Sequence, residues 1–374
     1  MIELDARLRA LRAASAATAA GLRSIALPID AAPYEMDAHL DDPVIADVFD
    51  CIRRSSTPRG YCDPVEVDGY AFHGDSVLEQ VVGITELARG DAASLLACPG
   101  PALAGIVVGL MGDDAQKEMF FSRVADGRTW TFFAMTEPAH GSDAAAMETA
   151  LSDGRLTGVK RYIGNGSRGS IGVVFGRTGP SPFSIRAALV EVPSPEWKAE
   201  SLDMIGLRGA CLAEVRLDGM PVLGLLGEHL PTARRGLWGA IKTFHNMRIQ
   251  IAAMASGTAL AVLDLVTEHR PDAPGVPEVT ARLLACQDLV LTAAAALDAG
   301  TERGFASSVA KLTATREAVA TARWAARSLG PAALLHHPLL EKWTRDAAGF
   351  EFMDGTSNIQ RLHIARTHLS GARG

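Results

Sequence analysis

TWTFFAMT, residues 129–136, is where the chain changes character. Thr, Trp and Phe fill this stretch, and such residues favour a pleated, half-buried backbone, so it predicts a strand. Upstream the periodicity is helical. Leu4, Leu8 and Leu11 fall on one face, and Val44, Ile45, Val48, Phe49 and Ile52 repeat the pattern behind Asp41 and Asp42. Residues 76–89 do so again, with Asp75 or Ser76 as N-cap and Val77, Val81 and Ile84 on the buried side. Downstream, Asp153-Gly154 between two short runs signals a hairpin, and strand-like runs follow at 171–177, 184–192 and 213–217. From about residue 232 the chain returns to helix. Long Ala-rich segments at 249–269, 279–299 and 305–329 are separated by RPDAPGVPE (270–278) and punctuated by GPAALLHHP (330–338). The expected organisation is therefore mainly α with a middle β domain: helical at 1–128, β at 129–228 and helical again at 229–374.

The 374 residues suggest two or three domains. A net charge of −7 gives no bulk reason to bind nucleic acid or an anionic membrane. With 48% hydrophobic and 21% charged residues the chain is ordinary globular protein, and its 6% aromatic content suits closely packed helices. Cys51, Cys62, Cys98, Cys211 and Cys286 form no CxxC pair and are odd in number, so neither a disulfide framework nor a zinc site is expected, and a reducing cytoplasm is. MIELDARLRALRAA lacks an apolar core and does not read as a signal peptide. No uninterrupted apolar run of membrane-spanning length stands out, so no membrane span is expected.

Several motifs have plain readings. Gly164, Gly166 and Gly169 satisfy G-x-G-x-x-G, but the strand-like SIGVVFG follows where a dinucleotide fold needs a helix, so they are expected to form tight turns. His336-His337 lacks a carboxylate or Cys at ligand spacing and is expected to hold no metal. Arg234, Arg235, Lys242 and Arg248 make a local basic run, either a solvated face or a dock for an anionic partner. Two stretches carry more chemistry. FAMTEPAHGS (133–142) ends a strand in a loop whose N–H and hydroxyl groups suit a flat heteroaromatic cofactor and its phosphates. MDGTSNIQRLHIAR (353–366) places a lone acid, Asp354, before Gly355 and a possible Thr356-Ser357 cap.

Taken in order, ELARGDAAS (86–94), TEPAHGSD (136–143), GVKRYIGNGSR (158–168), Arg248, RDA (345–347) and DGTSNIQRLHIAR (354–366) resemble the acyl-CoA dehydrogenase family of flavoproteins. The resemblance implies a helical N-terminal domain, a β-barrel-like middle domain and a C-terminal four-helix bundle. It also implies FAD, and a homodimer or homotetramer that completes the cofactor site across subunits. By that resemblance Phe133, Ala134, Met135, Thr136, Gly141 and Ser142 line the flavin, Tyr162, Ile163 and Gly164 pass its other side, and Thr356, Ser357 and Asn358 reach it from the last helix. Arg270 and Gly330 stand at the cross-subunit contacts. Ser142, His245, Arg248 and Gly355 match positions that meet the thioester or its pantetheine carrier. Asp354 stands where the family commonly has the glutamate that removes the substrate α-proton.

The implied reaction makes physical sense. A thioester α-hydrogen is barely acidic, so its carbonyl oxygen must be held by preorganised donors while a carboxylate, made more basic by burial, takes the proton. Electron-transfer flavoprotein or oxygen would accept the electrons. The sequence departs from the family pattern in several places: Asp354 is one methylene short, Gly164 replaces a Thr or Ser, His245 replaces a polar or acidic residue, and the segments around Arg270 and Gly330 lack the usual Phe-Gly and Gly-Gly. WTFFAMTEP and KRYIGNG resemble the branch acting on acyl carrier protein thioesters, including dehydrogenases of methoxymalonyl-type polyketide extender-unit assembly. The expected activity is dehydrogenation of a small or hydroxylated acyl group on acyl carrier protein or CoA. The alternative is a flavin oxidase or monooxygenase of the same fold, nitroalkane-oxidase-like or hydroxylating. A flavin-free scaffold or binding partner is the third reading.

Overall fold

The computed structural model describes residues 2–301 and 304–371. Helices α1 (Ala6–Ala31), α2 (Asp37–Leu40) and α3 (Pro43–Ser55) lead to a small hairpin, β1 (Val65–Val67) and β2 (Tyr70–Phe72), then to α4 (Val77–Ala97), α5 (Ala102–Met111) and α6 (Asp114–Val124). Eight strands follow: β3 (Thr131–Ala134), β4 (Ala150–Ser152), β5 (Arg155–Ile163), β6 (Ile171–Arg177), β7 (Ile185–Glu191), β8 (Trp197–Ser201), β9 (Ala213–Pro221) and β10 (Gly224–Leu226). The chain closes with α7 (Leu237–His269), α8 (Val276–Asp298), α9 (Phe305–Leu329), α10 (Ala333–His336), α11 (Pro338–Gly349) and α12 (Ser357–Gly371).

Local chemistry sets the boundaries. Asp5 caps α1 by accepting from the Leu8 N–H at 2.8 Å, and Asp42 caps α3 ahead of a proline in its first turn. Ser76, not Asp75, caps α4, and Asp298 at the end of α8 accepts from the Val77 and Leu78 N–H groups, tying the first helical part to the last. Asp153 and Gly154 both take positive φ, 51° and 69°, the geometry of a two-residue hairpin turn, and join β4 to β5.

The sheet runs β10-β7-β6-β4-β5-β9-β8, with β3 pairing parallel to β6. Its buried residues fall into two clusters: Phe132, Leu156, Val174 and Val215 pack together, while Val173, Phe175 and Leu189 pack with Val108 of α5 and Phe120 of α6. Residues 164–170 turn from β5 directly into β6, so the glycine motif opens no helix. Gly169 could not carry a side chain, because a Cβ there would lie 2.8 Å from the Phe132 ring.

Three features differ from the sequence expectations. The β1–β2 hairpin interrupts the first helical third, turning at Asp68-Gly69. Helix α8 begins inside the expected loop because Pro277 fits a first helical turn, where its missing N–H costs nothing. Helices α7 and α8 each hold an 18-residue window long and apolar enough to cross a membrane. In α7 that window is 83% buried, as the middle helix of a bundle requires. Its Ile249, Ala252 and Leu260 join residues of α4, α8 and α9 in one core.

Candidate active site

Helix α7 connects the two stretches that carry chemistry. Phe244 meets Phe133 of β3 edge-on, with ring centroids 5.8 Å apart. Arg248, one turn further along the same face of α7, donates through Nε to the Asp354 carbonyl at 3.4 Å and through Nη1 to His363 Nδ1 at 2.9 Å. The strand-end loop and the acid therefore flank neighbouring turns of one helix, although about 220 residues of chain separate them.

The loop after β3 is pinned by a buried ion pair. Lys160 Nζ donates to Glu137 Oε1 at 2.8 Å and to the Met135 carbonyl at 3.1 Å, while Thr149 N–H donates to the same carboxylate at 2.9 Å. Burial alone would raise the Glu137 pKa, but the Lys160 charge and the donated N–H bonds hold it down at about 2. Burial pushes Lys160 down to about 8 despite its partner. Beyond this anchor Gly141 and Ser142 are exposed, and the N–H groups of Thr136, Gly141 and Ser142 have no acceptor among the described residues. Across from it Tyr162 is 54% exposed at φ 60°, and a Cβ at Gly164 would meet only the Ala210 carbonyl, at an ordinary 3.6 Å. Unused N–H donors, an exposed aromatic ring and an uncrowded glycine fit a flat cofactor with phosphates.

Asp354 sits in a turn between α11 and α12 with φ 45°, and Gly355 follows at φ 93°. The left-handed region costs most residues about 1 kcal/mol or more, and Asp tolerates it better than Glu because its short polar side chain can bond locally. That accounts for an aspartate on this backbone. The Oδ2 atom is buried without a partner. Burial raises the carboxyl pKa to about 6, with the nearby charges of Lys311 and Arg248 opposing the rise. The Gly355 N–H likewise has no acceptor among the described residues.

The other expected residues divide. His245 lies on α7 between Phe244 and Arg248, its Nδ1 buried and unpartnered, and burial with Arg248 and Lys242 nearby keeps it neutral, down to about 4. The Ser357 hydroxyl is engaged by the Glu351 carboxylate, so that side chain is committed within the turn, and Asn358 accepts from Arg361 at 2.7 Å. Arg270 donates to the Ser328 carbonyl at 2.6 Å, beside Gly330 at the end of α9. At 1.5 Å per residue Arg270 lies about 33 Å along α7 from Arg248. Hence one chain does not bring Arg270 and Gly330 to Asp354. Within the basic run, Arg235 turns back to the Leu230 and Glu228 carbonyls, leaving Arg234 and Lys242 exposed. His337 meets His269 edge-on with ring centroids 4.5 Å apart, and no group of metal-ligating side chains occurs among the described residues.

Sequence reading missed Lys311, a buried lysine on α9 that touches the Asp354 turn, and His363, which holds Arg248. Lys311 shares its helix face with buried Ser307, Ser308, Ala314, Thr315 and Ala318. A lone charge on a stripe of small residues was the available signal.

Residues 276–369 match the family described as acyl-CoA dehydrogenase, C-terminal domain. The short-chain specific acyl-CoA dehydrogenase of Rattus norvegicus mitochondria is 31% identical over 327 residues, covering 81% of this chain and 77% of that protein. The solved butyryl-CoA dehydrogenase of Megasphaera elsdenii superposes with a TM-score of 0.81 at 22% identity, covering 99% of this chain and 100% of that one. The prolyl acyl carrier protein oxidase AnaB also superposes with a TM-score of 0.81, at 20% identity, covering 98% and 99%.

Proposed function

The chain belongs to the acyl-CoA dehydrogenase family, and from that premise we propose that it is an acyl-thioester dehydrogenase with Asp354 as its base. The cofactor is FAD. Phe133, Ala134, Met135, Thr136, Gly141, Ser142, Tyr162, Ile163 and Gly164 would hold its ring end, with Thr356, Ser357 and Asn358 approaching from α12. Arg270 and Gly330 would serve the site of a neighbouring subunit in a homodimer or homotetramer. When bound, FAD supplies the acceptor for the hydride that leaves the substrate β-carbon.

The residues of the chain do the rest. The Gly355 N–H holds the thioester carbonyl oxygen as charge builds there. Asp354 Oδ2 takes the α-proton, and Arg248, His245 and Ser142 orient the thioester and its pantetheine arm. The observation that carries this reading is the buried, unpartnered Oδ2 of Asp354, in a residue whose carbonyl meets Arg248 one turn along α7 from the Phe133–Phe244 contact. Such a carboxylate is costly to keep ionised and has no structural bond to repay the cost, as expected of a base.

The finer reading is a small or hydroxylated acyl group carried by acyl carrier protein, in assembly of a polyketide extender unit in the cytoplasm. The WTFFAMTEP and KRYIGNG stretches support it, as does exposed Arg234 and Lys242 at the start of α7, since carrier proteins are acidic. Electron-transfer flavoprotein or oxygen takes the electrons onward. Anaerobic addition of acyl carrier protein thioester should bleach the flavin absorbance. Bleaching by acyl-CoA alone overturns the carrier preference, and none across a panel of both overturns the dehydrogenase. Steady oxygen uptake with peroxide or hydroxylated product identifies the oxidase or monooxygenase instead.

A further inference from the structure

We infer that Lys311 is the positioning residue of the base: from α9 it clamps the backbone on both sides of Asp354 and holds a positive charge beside its carboxylate. The inference rests on the assignment of Asp354 as base and goes on to name what sets its geometry and protonation.

Lys311 is 1% exposed, and no carboxylate accepts from it. Its Nζ donates instead to the Met353 and Gly355 carbonyls and, at 3.5 Å, to that of Glu351. Gln360 of α12 adds a bond to the Gly355 carbonyl at 2.8 Å. A buried ammonium is expensive unless fully bonded, and main-chain carbonyls satisfy it without neutralising it. The Met353 and Gly355 carbonyls bracket a non-glycine residue in the left-handed region, a conformation that persists where its surroundings over-determine it. Because Lys311 spends its hydrogen bonds on carbonyls, the carboxylate stays free for a proton while still feeling the charge.

The charged and titratable groups around the pair are Arg248 and His245 from α7, Glu351 from the turn itself, and His363 and Arg366 from α12. Glu351 is engaged with Ser357 and His363 with Arg248. Lys311 and Arg248 are the charges that favour ionised Asp354. Burial brings the Lys311 ammonium itself down to about 8. Asp354 and Lys311 therefore bracket a working window: acid protonates the base, and alkali discharges the ammonium that grips its turn.

The test uses FAD-loaded protein and follows Asp354 protonation by difference infrared spectroscopy, with Asp354→Asn assigning the band. Lys311→Gln retains a donor and deletes the charge. It should move the Asp354 midpoint up from near 6 by about one pH unit, and the acid limb of the anaerobic bleaching rate should move with it. Lys311→Arg keeps a charge that never titrates, so the midpoint should stay and the alkaline break near 8 should vanish. An unchanged midpoint in Lys311→Gln, with bleaching depressed equally at every pH, overturns the inference in favour of a merely structural lysine. If Lys311→Gln does not fold, an alkaline break persisting in Lys311→Arg overturns it. The infrared midpoint reads without substrate, so failure of the dehydrogenase assignment, seen as no bleaching in the unmodified protein, is a separate result.

Discussion

Lys160 reaches Glu137 from the neighbouring strand β5 and pairs with it at 2.8 Å, with side-chain exposures of 0% and 5%. The pair fixes the point where β3 gives way to the loop expected to bear the flavin. Lys160→Met leaves a buried carboxylate unpaired and should cost about 3–5 kcal/mol, measured by denaturant unfolding. Lys160→Met with Glu137→Gln should cost less than Lys160→Met alone. The Glu137 carboxyl is depressed from 4.5 to about 2 in the fold. Its stabilisation is therefore present above 4.5 and lost as pH falls toward 2, and Glu137→Gln should abolish that acid-dependent loss.

Asp354→Asn should end bleaching while FAD stays bound. It should also stabilise the protein at neutral pH. The folded carboxyl is raised from 3.8 to about 6, so the native state binds more protons in that window and loses stability as pH rises through it. The asparagine variant escapes that penalty, about 3 kcal/mol at pH 7 and close to nothing well below pH 4. Thermal unfolding at both pH values reads the difference. A variant no more stable at pH 7 than at pH 4, relative to the parent, would contradict the buried charge.

Phe244→Ala should loosen the Phe133 end of the site. A double-mutant cycle with Phe133→Leu should give a coupling of about 0.5–1.5 kcal/mol, as edge-on aromatic pairs do. FAD affinity, read by fluorescence titration, should fall in both single variants, because α7 and β3 meet through these rings.

Lys342 bonds Asp91 and Asp346 at 2.6 Å each, all three fully buried, while Trp343 Nε1 and Leu207 N–H complete the network. These residues join α4, α11 and the loop before β9. Lys342→Met should destabilise by about 3–5 kcal/mol at pH 7 and by less at pH 5, because burial raises the Asp346 carboxyl and eases its protonation once the ammonium is gone. Denaturant midpoints at the two pH values measure it.

Much of the molecule was legible along the chain. The β character of 129–136, the Asp153-Gly154 hairpin and the helix at 305–329 follow from side-chain preferences that act within a few residues. The refusal of G-x-G-x-x-G to be a nucleotide motif followed from the strand behind it. The β1–β2 hairpin carried the same Asp-Gly signal at 68–69 and was overlooked amid helical periodicity. The separation of Arg270 and Gly330 from the acid within one chain was implied by family resemblance alone, since it depends on the length of α7 and on where α9 ends beside it.

By itself, then, the sequence determined the run of helical, β and helical regions, the Asp153-Gly154 turn and which acid stands ahead of the last helix, because capping, turn chemistry and hydrophobic period are local. Only the tertiary structure decided that Phe244 and Arg248 would carry Phe133 and Asp354 on adjacent turns, and that Lys311 would grip the turn from 40 residues away. Those contacts arise from how α7 and α9 pack, and packing between distant segments leaves no periodic trace in either one.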